Sequence, residues 1–178
     1  YQIPVFMDYK KSILLNAFVE YVRSVLSMVE QDFSYESVFR FLRTGFTEFT
    51  RDEIDRLENY VVAVGLRGYK KWQAVWARKT NRTDEEELAV LNGLRVRFVE
   101  MTESLVFVLK QRKKTVRDIC EAVYRFFVEN QIQEKLKVME NCFAEKKELA
   151  LAKEYAQIYR IVLELFDKFA ELLGDEGI

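Results

Sequence analysis

The chain has 178 residues, enough for one domain with a substantial core, and with 49% apolar and 32% charged residues it reads as globular rather than disordered or membrane-embedded. It has no histidine and only two cysteines, Cys120 and Cys142, in no CxxC pair. That excludes His-dependent acid–base and nucleophilic catalysis and leaves too few ligands for a tetrahedral zinc site. No apolar run approaches the ~20 residues that span a bilayer, and nothing resembles a signal peptide.

In chain order, residues 3–7, which carry the only proline, read as a short strand. Helices follow over about 9–30, 35–43, 51–64, 69–78, 84–110, 115–145 (broken near Asn130) and 147–173, so the expected fold is all-α, a multi-helix bundle-like domain. The start signals are helical. Thr50-Arg51-Asp52-Glu53 and Thr83-Asp84-Glu85-Glu86 have the form of capping boxes, with Thr115 to Asp118 a variant. Gly45, Gly65 and Gly174 each follow a periodic apolar stretch, where a left-handed residue is expected to end a helix. Two helices carry heptad-like stripes that read as core: Leu91, Leu94, Phe98, Met101, Leu105 and Val108, then Tyr155, Ile158, Val162, Leu165, Phe169 and Leu172. The first helix is apolar almost all round. A helix at the start of a domain is seldom central, so part of its natural covering is expected to lie outside this chain.

Charge is unevenly placed. Residues 59–83 contain Arg67, Lys70, Lys71, Arg78, Lys79 and Arg82 without one acidic residue, and 104–117 contain Lys110, Arg112, Lys113, Lys114 and Arg117, again without one. These eleven are drawn from only 28 Lys and Arg, so the other 17 offset 29 Asp and Glu elsewhere. Tyr69, Trp72 and Trp76 lie within the first segment. Basic residues interleaved with aromatics suit single-stranded nucleic acid, where cations neutralise phosphates and rings stack on bases. The candidate DNA-contacting residues are therefore Arg67, Lys70, Lys71, Trp72, Arg78, Lys79 and Arg82, together with Lys110, Arg112, Lys113 and Lys114. The plainer reading makes Trp72 and Trp76, four apart, core anchors and leaves the charges solvated. The stretch "GLRGYKKW" (65–72) is not a P-loop: its glycines are too close together, and Lys71 is followed by Trp72 rather than a hydroxyl residue. Gly65 is expected to end a helix and Gly68 to make the turn that presents Tyr69 to Trp72.

Several stretches resemble one family. "IPVFMDYKKSILLNAFVEYV" (3–22), "YESVFRFLRTG" (35–45), "IDRLENYVVAVGLRGYKKW" (54–72) and "LAKEYAQIYRIVLELFDKFAELLGDE" (151–176) are similar to the AddB/RexB-type B subunits of bacterial ATP-dependent helicase-nucleases. The stretch from Leu57 to Trp72 is the most specific, whereas 79–150 match only in helical character and length. The Ile3-Pro4-Val5-Phe6 start resembles the junction that precedes the helical accessory (2B) insertion of UvrD-like, superfamily-1 helicases.

The resemblance implies that 1–30 form the end of a helicase-like motor domain with its connecting helix, and 31–178 the accessory domain. It also implies a cytoplasmic bacterial complex with an AddA-type helicase-nuclease subunit, acting on DNA to process double-strand breaks for recombinational repair. Mg²⁺, ATP and an iron–sulfur cluster are implied for the parent complex. No nuclease motif is present, and neither Cys120 nor Cys142 matches a cluster setting, so this segment is expected to be non-catalytic and free of cofactors. A purely architectural domain without DNA affinity is the rival reading. An unrelated helical regulator is a third.

Overall fold

The computed structural model describes residues 15–81 and 83–178, and within them eight helices and no strand. They are α1 (Ala17–Glu30), α2 (Tyr35–Leu42), α3 (Arg51–Val64), α4 (Tyr69–Gln73), α5 (Glu85–Leu109), α6 (Val116–Glu129), α7 (Ile132–Glu145) and α8 (Leu149–Leu173). The all-α expectation is met. The strand expected over 3–7, the first turns of the first helix and Arg82 lie outside the described residues. No helix among those described is long and apolar enough to cross a membrane.

Local chemistry sets most boundaries. Thr50 and Thr115 both close reciprocal capping boxes, with Glu53 and Asp118. The third box does not form: Asp84, not Thr83, accepts the Glu87 N–H at 2.8 Å and caps α5, while the Glu87 carboxylate accepts from Arg56 instead of reaching back. A carboxylate outcompetes a neighbouring hydroxyl at a helix N-terminus, because it also meets the helix dipole. The break near Asn130 is real, with Gln131 left-handed between α6 and α7. α4 is shorter than the 69–78 expected and ends at Gln73, since Ala74 is already extended. Gly65 ends α3 in the left-handed conformation. Gly174 does not: its φ is −55°, and a Cβ there would fall 2.1 Å from the backbone Ala170 O.

α1 is the centre of the molecule. Its Phe18 ring lies 5.2 Å from Phe127 and 6.1 Å from Tyr159, and Tyr21 meets Phe41 at 5.3 Å and Phe126 at 5.7 Å. The expectation of missing cover is corrected over Ala17–Glu30, where only Arg23 and Glu30 are exposed. Helices from the C-terminal half fold back over the first helix, which is why it can be apolar nearly all round. Asn16 seals its start, accepting the Phe18 N–H at 2.9 Å and donating to Glu154 on α8 at 2.6 Å.

α5 packs on α3, α4 and α6, and α8 on α6 and α7. The α5 stripe is core as expected, with Leu91, Leu94, Phe98 and Leu105 buried. The α8 stripe is core only in its first half. Tyr155, Ile158 and Val162 are buried, but Leu165, Phe169 and Leu172 are exposed, because the 14-residue α7 cannot cover a 25-residue partner.

Candidate nucleic-acid interface

The turn after α1 organises the basic segments. Asp32 and Phe33 are both left-handed, with φ of 45° and 56°. Asp32 N–H donates to Val29 O and Phe33 N–H to Met28 O, the paired bonds of a Schellman motif with aspartate where glycine is usual. The arrangement turns the Asp32 carboxylate toward α4 and α5. It accepts from Lys110 Nζ at 2.6 Å and from the Tyr69 N–H at 3.4 Å, capping α4 from outside. Gly68, at φ +88°, brings the backbone so close that a Cβ would lie 3.1 Å from Asp32 Oδ2. The hydrogen bond from Lys110 holds the Asp32 carboxyl below its ordinary range; burial opposes this, while the Tyr69 amide and the charges of Lys110 and Lys70 add to it.

From this clasp, residues 69–79 run back along α5. Arg95, buried on α5, donates to Trp72 O at 2.9 Å and Gln73 O at 3.3 Å. Asn92 pairs with the Trp76 backbone twice, accepting its N–H and donating to its O, each at 2.9 Å. The Trp72 ring sits 4.5 Å from Phe98, and Trp76 stacks at 5.1 Å on Tyr60. Trp72 is 1% exposed and Trp76 5%. Trp72 is therefore corrected as a base-stacking candidate: the spacing that puts both indoles on one face turns that face into the core.

The antiparallel path separates the first basic segment into two. Arg67, Lys70 and Lys71 fall near the C-terminal end of α5, where Lys110, Arg112, Lys113 and Lys114 follow. Arg78 and Lys79 are carried toward the other end of α5, a helix roughly 37 Å long. There Lys79 pairs with Glu85 at 2.7 Å, and Arg78 reaches only Val64 O at 3.5 Å. At the clasp end, Lys110 is held by Asp32, and Lys114 Nζ donates to Gln111 O at 3.1 Å. Arg67, Lys71, Arg112 and Lys113 are exposed and have no ion pair or hydrogen bond from their side chains among the described residues. Arg117 is drawn off by Asp175 at 3.5 Å, where residues 174–178 lie along 114–117.

The comparisons with known proteins bear on the whole chain. No family model matches it. Curated relatives do: the B subunit of the ATP-dependent helicase/deoxyribonuclease of Lachnoclostridium phytofermentans is 42% identical over 177 residues, 98% of this chain and 15% of that protein. The corresponding B subunits from Clostridium novyi and Caldanaerobacter subterraneus are each 37% identical over all of this chain, which covers 15% and 16% of them. The chain belongs to this helicase/deoxyribonuclease B-subunit family. It spans about one-sixth of the length of the relatives it matches.

Within this B-subunit segment, two residues that sequence reasoning passed over matter to the interface. Asp32 lies between the first two expected helices, with no sequence pattern to single it out. Phe107 lies off the α5 stripe and three residues before Lys110, and the residue is 69% exposed. Cys120 is half-buried on α6 and Cys142 exposed on α7, both as free thiols. Two cysteines on separate helices do not fit a cluster that needs four ligands. No group of three His, Cys, Asp or Glu is arranged to hold a metal among the described residues.

Proposed function

We propose that this segment is a non-catalytic helical accessory domain of the B subunit, within an ATP-dependent helicase-nuclease that processes broken DNA ends for repair, and that the clasp end of α5 lies on the DNA path. The partner is an AddA-type helicase-nuclease subunit, and Mg²⁺, ATP and the iron–sulfur cluster belong to other parts of that complex. On this reading 1–30 connect to a motor domain and 31–178 form the accessory unit. The observation that carries it is that Arg67, Lys71, Arg112 and Lys113, all exposed and unpaired among the described residues, each lie within three residues of Gly68, Tyr69 or Lys110, the groups that the Asp32 carboxylate touches. Four such cations neutralise phosphates without first breaking an internal ion pair.

The test is fluorescence anisotropy of the chain with a labelled single-stranded oligonucleotide over a salt series, compared with Lys71→Glu/Arg112→Glu/Lys113→Glu. If the four cations meet phosphates, log K falls with log salt at a slope on the order of −3. The triple variant then loses most of the affinity. An unchanged affinity in the variant refutes the reading.

A second, architectural reading has its own support. Tyr124 and Val128, both exposed on α6, line a groove of about 720 Å³ together with Leu163, Phe166 and Ala170 of α8. An apolar surface of this kind suits contact with other parts of the same protein, and it leaves the clasp end free.

A further inference from the structure

We infer that the hollow beside the clasp holds one unstacked base of a single strand, with the exposed Phe107 ring as its platform. This rests on the reading of the clasp end as a DNA contact and specifies which form of DNA it takes. The hollow, about 330 Å³, is lined by Tyr69, Gln73, Glu103, Phe107, Lys110 and Gln111. Its chemistry is that of a base site rather than a phosphate site. Phe107 offers an open ring face. The Tyr69 ring, half-buried against Phe33 at 4.7 Å, lines the same hollow, with Lys110 Nζ 5.3 Å from its centre. Gln111 supplies an amide that donates and accepts, the capacity needed to meet the edge of a base, while the Gln73 amide is already taken by the Tyr69 hydroxyl. Glu103 faces the same space and repels phosphate from it, so the backbone is kept to the side of Lys110, Arg112 and Lys113.

A base inside a duplex cannot reach this hollow without leaving its stack, which costs a few kcal/mol and makes the site selective for single strands. Stacking on an aromatic side chain is tolerant of base identity, because every base has a π-face. The two tryptophans that sequence pattern nominates for this task are buried, and Phe107 stands where they do not.

The test uses the chain with a labelled twelve-nucleotide oligothymidylate and a duplex of equal length. Phe107→Ala is expected to weaken single-strand binding on the order of ten-fold at fixed salt while leaving the salt slope and the duplex affinity unchanged. Phe107→Trp is expected to restore binding, and its emission to be quenched by the single strand but not by the duplex. Because Phe107 is exposed, neither change disturbs the core. If Phe107→Ala leaves single-strand affinity intact while the triple charge reversal abolishes it, the base site is wrong and the DNA-path reading survives. If the wild-type chain binds neither probe, both fall.

Discussion

Asp32 Oδ1 accepts a 2.6 Å hydrogen bond from Lys110 Nζ, joining the end of α1 to the end of α5 across 78 positions of sequence. The same carboxylate caps α4, so one side chain sets where three helix ends meet. Both partners are partly open to water, which makes the link modest in energy. Its weight lies in geometry, since it decides which lysines and arginines become neighbours.

Asp32→Asn tests this link. Asparagine tolerates the left-handed backbone but carries no charge, so Lys110 is freed. Stability should fall by less than about 1 kcal/mol at neutral pH. Because the folded carboxyl is held below its ordinary value, the wild-type advantage is present in full above about pH 4 and is lost as pH falls through the folded value. Urea melts at pH 7 and pH 3 should show the gap between the two proteins closing at the lower pH. With one more free cation, the variant should also bind single-stranded DNA a few-fold more tightly at low salt.

Gly68→Ala attacks the same junction from the backbone side. At φ +88° and ψ 145° an L-residue is strained, and the new methyl would press on Asp32. A loss of about 1–3 kcal/mol is expected, read as a lower denaturation midpoint with an unchanged m-value. A variant as stable as wild type would mean that the turn relaxes freely and does not hold the clasp.

Arg95→Met removes the guanidinium that lashes α4 to α5. The Trp72 and Gln73 carbonyls and Asn92 Oδ1, which accepts from Arg95 Nε at 3.1 Å, then lose a charged donor. The expected cost is about 2–3 kcal/mol. Tryptophan emission should shift to the red as the segment carrying Trp72 and Trp76 loosens, and it should stay blue if packing alone retains it.

Tyr21→Phe should run the other way. The hydroxyl is buried and finds no hydrogen-bond partner among the described residues, and burial pushes the phenol far above its ordinary value. Removing an unsatisfied polar group should leave stability unchanged or raise it by up to about 1 kcal/mol. A clear loss in the thermal midpoint would show that the hydroxyl has a partner in solution.

Much of this molecule was legible beforehand because its signals are local. The boxes at Thr50 and Thr115, the glycine stop at Gly65 and the break by Asn130 each depend on a few adjacent residues, and each appears where read. The third box failed to form because Asp84 takes the Glu87 amide while the Thr83 hydroxyl pairs with Thr80 and Glu87 with Arg56. The free half of α8 escaped notice because a stripe records which residues share a face, not whether a partner is long enough to cover it.

By itself, the chain determined an all-helical fold, the heptad stripe of α5 and two acid-free basic segments, since period and charge are properties of consecutive residues. Only the tertiary structure decided that α1 is central, that both tryptophans are core and that Tyr69 is joined to Lys110 through Asp32 while Arg78 and Lys79 lie toward the other end of α5. Those outcomes follow from the path of 65–79 along α5. That path is set by Asp32, Asn92 and Arg95, side chains that reach 16 to 78 positions along the chain and leave no periodic mark.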